Sequence, residues 1–213
     1  MKGKHRYEDA IQAALKLEAR LKPFCERIVI AGSLRRRCAT VGDIEMVAIP
    51  KMRFSEGLFG MEGEGYSLLD LHLNTFPEIY EPGRWGERMK QLRFDGYPVD
   101  LFICTPERWG VILTIRTGSA DFSRWLVTSR LKGGGRMSNR RVEDGRVWKL
   151  GVEAGATTIR RTPMETPQEE DVFKALGVPW IPLGERQRGY WGEPVPELEK
   201  RFCAVTGLEM THR

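Results

Sequence analysis

The sequence of 213 residues contains no apolar run near the ~20 residues that a membrane helix needs. That removes membrane proteins built on spanning helices, and no membrane partner is expected. Cysteine and histidine are scarce, with four of one and three of the other. Cys25, Cys38, Cys104 and Cys203 show no CxxC spacing, and His5, His72 and His212 lie far apart. A zinc site and a disulfide framework are therefore disfavoured. A reducing compartment is expected, with the thiols acting mostly as small buried hydrophobes. The basic start, Met1-Lys2-Gly3-Lys4-His5-Arg6, runs into a polar helical pattern and not into an apolar segment, so no signal peptide is read and a cytoplasmic location is expected.

What is present is ordinary in bulk, with 41% hydrophobic and 30% charged residues, and suits a globular chain of one domain or two small ones. The charge is less ordinary. The net value is +5, and the excess gathers between Arg130 and Arg161. Arg130, Lys132, Arg136, Arg140, Arg141, Arg146, Lys149, Arg160 and Arg161 face only Glu143, Asp144 and Glu153. A charge run of this kind is as often a solvated face as a contact surface for a phosphate backbone.

One stretch carries chemistry. Gly32-Ser33-Leu34-Arg35-Arg36-Arg37-Cys38-Ala39-Thr40-Val41-Gly42-Asp43-Ile44-Glu45 connects two short apolar runs, Arg27–Ala31 and Met46–Ile49, which read as buried strands. Residues two apart on a strand share a face, so Asp43 and Glu45 are expected side by side. Paired carboxylates repel unless a cation sits between them, and hard divalent ions such as Mg²⁺ take such ligands together with substrate phosphates. Gly32 and Ser33 offer backbone N–H groups at a helix start, a place for a phosphate. A DxE pair alone is common in solvated edge strands. The glycine-serine turn, the arginines and the strand context favour a phosphoryl-transfer site, and Asp100 supplies a third carboxylate on another strand. Beside such a site, nucleic acid is the favoured partner of the basic segment, with Arg130, Lys132, Arg136, Arg140 and Arg141 as its expected contacts.

The pattern Gly32-Ser33-x-Arg35-Arg36-x5-Gly42-Asp43-x-Glu45 resembles the nucleotidyltransferase signature, and its arginine pair and spacing resemble family X DNA polymerases. The similarity recurs at Val99-Asp100-Leu101 and at Thr117-Gly118-Ser119-x-x-Phe122. It recurs again at Glu169-Glu170-Asp171-Val172-Phe173-x-x-Leu176-Gly177, Trp180-Ile181-Pro182 and Arg186. The resemblance implies an α+β fold: a polymerase beta-like palm with a mixed sheet and flanking helices over 1–105, a small α/β subdomain over 106–190, and a tail, 191–213, that it does not place. It implies a DNA-directed polymerase of short-gap repair type, acting as a monomer on primer-template or gapped DNA. The location would be the cytoplasm, or the host-cell cytoplasm for a viral protein.

The reaction implied is attack of a 3′-hydroxyl on the α-phosphate of a nucleoside triphosphate. Two Mg²⁺ ions, replaceable by Mn²⁺, would be held by Asp43, Glu45 and Asp100, with Asp100 as proton acceptor. Gly32, Ser33, Arg36 and Gly42 would grip the phosphates, Arg35 would enter a structural ion pair, and Thr117, Gly118, Ser119, Phe122 and Ser123 would line the nucleotide. This chain departs from the family pattern at Glu45, where aspartate is usual. It departs also at Ile115 and Arg116 in place of an aromatic pair, and at Ser123 and Val127 in place of an asparagine and an arginine, for which Arg124 or Arg130 are candidate substitutes. The length leaves no room for the N-terminal lyase domain of larger members. Lys2 and Lys4 are expected to be surface charges, and no lyase activity is expected. Two alternatives stand beside the polymerase: a template-independent transferase (terminal, tRNA-end or small-molecule acceptor), and an inactive DNA-binding module, which the intact carboxylates oppose.

Along the chain, Tyr7–Leu21 reads as an amphipathic helix and 51–66 as a loop or short hairpin in which Glu62 and Glu64 are expected to be solvated. Leu68–Phe76 reads as a helix, and Glu81–Gly86 as a turn. Tyr97, Val99, Leu101 and Ile103 share a strand face opposite Asp100 and Phe102. Thr105 is the expected N-cap of a helix reaching Thr117, and a second helix runs Ala120–Leu131 to a flexible Gly133-Gly134-Gly135 stop. Short strands are expected near Arg136–Arg140 and Arg146–Leu150, then a capping box Thr166-Pro167-Gln168-Glu169 opening a helix to Leu176.

Overall fold

The computed structural model describes residues 4–56, 62–75, 85–152 and 159–187. Residues 81–84 of the expected turn Glu81–Gly86, Lys2, Cys203, the side chain of Glu62 and the tail from Tyr190 lie outside them. The chain forms two compact units, Met1–Pro106 and Glu107–Arg213, both mixing helix and sheet. Among the described residues no helix is long and apolar enough to cross a membrane.

The first unit opens with a two-residue strand β1 (His5–Arg6) and helix α1 (Tyr7–Leu21). Ala10, Ala13, Ala14, Leu17 and Leu21 recur at helical spacing and are all buried, which is the stripe that a helix packed on a sheet requires. Then come β2 (Cys25–Ile30), the single turn α2 (Gly32–Arg35), β3 (Thr40–Val41), β4 (Ile44–Pro50), β5 (Met52–Glu56), β6 (Glu62–Ser67), α3 (Leu68–Asn74), β7 (Met89–Phe94) and β8 (Tyr97–Ile103). Four strands form one sheet in the order β2-β4-β8-β7. Only the β4–β8 pair is parallel. Ile44, Met46, Ala48, Val99 and Leu101 enter the core with α1, so the alternate residues, Glu45 and Asp100 among them, leave from the other face.

Strands β5 and β6 pair antiparallel, the short-hairpin alternative of the sequence reading, with Glu64 exposed. Asp95 and Gly96, both at positive φ, close a second hairpin, β7–β8, in the Asp-Gly turn favoured by the twist of its strands.

The second unit contains α4 (Trp109–Thr117), α5 (Ala120–Val127), β9 (Arg140–Glu143), β10 (Arg146–Val152), β11 (Ile159–Met164) and α6 (Glu169–Leu176). The sheet order is β11-β10-β9, antiparallel throughout. Val111, Phe122, Leu126, Val147, Val172, Phe173 and Leu176 form its core.

Several local expectations are corrected here. Pro106 opens a 3-10 turn, and α4 begins at Trp109 with Arg108 as N-cap. Helix α5 stops at Val127, four residues early, because Thr128 is extended and Ser129 bridges to Arg136 in a parallel β-contact. The glycine triplet is a packing device and not a flexible stop. Gly133 takes the left-handed cap position. A Cβ on Gly134 would lie 2.1 Å from the Thr128 carbonyl oxygen, and one on Gly135 2.7 Å from the Trp125 ring. The cap of α6 is Gln168, whose N–H donates to Asp171 Oδ2 at 3.1 Å; Thr166 is buried and its carbonyl accepts from Gly110.

Candidate active site

The connector from β2 to β4 folds tightly. Ala31 is extended, with its N–H on the Glu45 carbonyl at 2.7 Å, and Gly32 turns the chain at φ +60. Helix α2 is a single turn of four residues, so its aligned dipole is small and any phosphate cradle rests on the turn itself. The Cys38 N–H returns to the Ser33 carbonyl at 3.0 Å. Thr40 and Val41 then pair with Arg6 and His5, and the Tyr7 N–H bonds the Ala39 carbonyl. The N-terminal strand thus ties down the segment that delivers Gly42 and Asp43.

Asp43 sits in the bend before β4, since the strand starts at Ile44. Strict alternation therefore governs Glu45 and not Asp43. Glu45 packs against the Gly32 turn: a Cβ on residue 32 would fall 2.0 Å from Glu45 Oε2. Glycine is required there twice, for its backbone angle and for the space that the longer acid occupies. Across the parallel β4–β8 ladder Glu45 is the register partner of Asp100, and Gln91 on β7 is the partner of Asp100 on its other side. The Gln91 Nε2 donates to Asp100 Oδ1 at 3.0 Å. The sequence reading missed Gln91; the hairpin signal at Asp95-Gly96 would have found it, because the turn fixes the register.

Among the described residues no three acidic, histidine or cysteine side chains stand close enough together to hold a metal ion. The donors themselves suit a hard divalent cation, being carboxylate oxygens with no sulfur or imidazole among them. Gly32 also keeps open the room in which the Glu45 carboxylate lies. The chemistry of Asp43, Glu45 and Asp100 therefore fits such an ion.

In the second unit the expected nucleotide-lining residues divide. Phe122 is fully buried at the centre of the core, with its ring centroid 6.3 Å from that of Phe173, and packs there. Thr117 is buried too. A Cβ on Gly118 would lie 2.2 Å from the Phe122 ring, so this glycine lets the turn close over the aromatic. The Ser119 hydroxyl caps α5 by accepting from the Phe122 N–H and donates to the Gln187 carbonyl at 2.6 Å. The Ser119 N–H bonds the Arg186 carbonyl. The Ser123 hydroxyl donates to the Ile115 carbonyl at 2.7 Å.

What holds this turn is Arg186, whose role the sequence motif flagged without explaining. Its side chain is fully buried, bonded to Glu169 Oε1 at 2.7 Å and to the Ile181 carbonyl at 2.9 Å. It lies 4.7 Å from the Trp180 ring centroid and 5.0 Å from that of Phe173.

The basic segment also divides. Arg130 donates to the Gly135 and Gly177 carbonyls, Arg136 to those of Val127, Met137 and Arg140, and Arg140 to those of Ala175 and Asn139. Val127, Ala175 and Gly177 are C-terminal ends of α5 and α6, where orphan carbonyls and the dipole favour a cation. These three arginines are half-buried and brace the carbonyls around them. Arg141 is exposed and pairs with Glu143, as does Arg161, while Lys132 is exposed.

Residues 112–187 match the DNA polymerase beta thumb family. DNA polymerase lambda of Rattus norvegicus is 30% identical over 173 residues, an alignment that takes in 74% of this chain and 28% of the relative. The chain thus spans less than a third of that relative's length.

Proposed function

We propose that this family X polymerase-like chain is a DNA-directed DNA polymerase that extends a 3′-hydroxyl by nucleotidyl transfer, filling short gaps during repair. The observation that carries the reading is the in-register pairing of Glu45 with Asp100 beside the Gly32 turn. In this reading the first unit is the palm and the second carries the thumb-like contacts. Asp43, Glu45 and Asp100 would hold two divalent ions, Mg²⁺ or Mn²⁺. Such ions, when bound, stabilise the attacking and leaving oxygens of an in-line displacement.

The remaining steps fall to the chain's own groups. Asp100 accepts the proton of the attacking hydroxyl, and Gln91 holds its carboxylate. The Gly32-Ser33 turn, Gly42 and the bidentate guanidinium of Arg36 receive the triphosphate. Gly118 and Ser119 form the nucleotide side of the second unit through their main chain, with Thr117 buried behind them and the Ser123 hydroxyl bracing the turn on Ile115. Phe122 supports them from beneath. Lys132 and Arg141 remain for the DNA backbone.

The test is extension of a labelled primer, with and without a paired template, using single deoxy- or ribonucleotides with Mg²⁺ or Mn²⁺. Asp100→Ala is the control. Addition of the complementary nucleotide alone, abolished by Asp100→Ala, is the expected result. Template-independent addition would replace this reading with the terminal-transferase one. The anchoring of the Ser123 hydroxyl on Ile115 favours that second reading, because it turns the residue away from a base-edge role.

A further inference from the structure

One row of polar residues crosses three adjacent strands of the first unit at a single register. Gln91 on β7 faces Asp100 on β8, and Asp100 faces Glu45 on β4. Register partners on neighbouring strands leave the sheet on the same face. On β7 the residues flanking Gln91, Lys90 and Leu92, are buried from the opposite side. Gln91 is therefore the β7 side chain that stands beside the Asp100 carboxylate, and its amide donates to Oδ1 at 3.0 Å in a half-buried setting.

We infer that Gln91 is a positioning residue for Asp100, an assignment that rests on the polymerase reading of the site. A carboxylate's terminal torsion is broad and roughly two-fold, so an aspartate needs an outside contact to fix the direction of its oxygens. The residue type at position 91 matters as much as its place. Lysine or arginine would fix the carboxylate and also neutralise it, which weakens its hold on a divalent cation. An aliphatic residue would leave the charge and lose the direction. A glutamine amide donates a directed hydrogen bond and carries no charge, so Asp100 is oriented with its full negative charge retained. Outer-shell partners of ligating carboxylates act in this manner, and their loss costs about 10–100-fold in metal affinity or activity.

The test compares the full chain with Gln91→Met, which keeps length and removes the donor, and Gln91→Glu, which replaces the donor with a repelling acceptor. Three readouts are taken: kcat and nucleotide KM in primer extension, Mn²⁺ affinity without nucleotide from the free-ion EPR signal, and the urea midpoint. The expected result for Gln91→Met is a kcat about 10-fold or more below wild type, with Mn²⁺ affinity falling similarly. Nucleotide KM and the urea midpoint are expected to stay unchanged, and Gln91→Glu to lose at least as much kcat. A structural role alone would move the midpoint and leave the Mn²⁺ affinity of the folded fraction intact. Wild-type kcat and Mn²⁺ affinity in a folded Gln91→Met protein would overturn the assignment. If that variant does not fold, the same values in Gln91→Glu would overturn it. A wild-type chain inactive on every acceptor would overturn the polymerase reading and this assignment with it. An active wild type matched by Gln91→Met overturns the assignment alone.

Discussion

The buried pair Arg186–Glu169 gives the sharpest stability prediction. Arg186 is 0% exposed and Glu169 5%, and they meet at 2.7 Å inside a ring of Trp180, Phe173 and Phe122. Removing one partner leaves a buried charge uncompensated, which costs about 3–5 kcal/mol. Replacing both with apolar groups is often close to neutral. Arg186→Met and Glu169→Leu should therefore each destabilise by roughly 3–5 kcal/mol. The double variant should lie within about 2 kcal/mol of wild type, a coupling of several kcal/mol. The assay is urea unfolding of the full chain followed by tryptophan fluorescence, since Trp109, Trp125 and Trp180 all lie in this unit. In thermal unfolding each single change should lower the midpoint by upwards of ~12 °C, at ~4 °C or more per kcal/mol for a domain of this size. A double variant as unstable as the sum of the singles would refute the reasoning, because the cost would then lie in lost packing and not in stranded charge.

Gly32→Ala should lower kcat by about 100-fold, since a Cβ 2.0 Å from Glu45 Oε2 must displace that carboxylate and misplacement by an ångström has that order of effect; single-turnover extension reads it. Gly135→Ala should cost about 1–3 kcal/mol against the Trp125 ring, whereas Gly151→Ala, which meets nothing within 4 Å, should change the unfolding free energy measured in urea by less than about 0.5 kcal/mol. Burial pushes the Cys25 thiol up to about 12, so the folded chain keeps a proton that the unfolded chain loses near pH ~8.5. Stability should therefore fall as pH rises from about 9 to 12, and Cys25→Ala should remove that part of the slope in urea midpoints.

The strands that carry the carboxylates were legible because their pattern is physical. Apolar runs with one misplaced acid identify β4 and β8, and alternation puts Glu45 and Asp100 on the face away from the core. Strand β11 was missed because Ile159–Met164 is mostly exposed and shows no alternation to read. The end of α5 was missed because Thr128 and Ser129 follow Val127 without glycine or proline. There the stop is set by a tertiary β-contact to Arg136, which periodicity does not encode. Phe122 was assigned to the nucleotide because the motif places it near the Thr117-Gly118-Ser119 turn. Leu126 one helical turn onward, also fully buried, marks that side of α5 as core.

The basic segment shows why counting charge differs from locating contacts. A guanidinium that donates to helix-terminal carbonyls keeps its positive charge, so Arg130, Arg136 and Arg140 still contribute to a field that attracts a polyanion over a Debye length of about 10 Å. N–H groups of all three, however, are committed to the ends of α5 and α6. Phosphate recognition at contact distance depends on the direction of such groups and not on the charge alone. In the proposed reading, long-range attraction and close contact would be carried by different subsets of the same run. The first subset also holds the fold together, and only the second can change without loosening it.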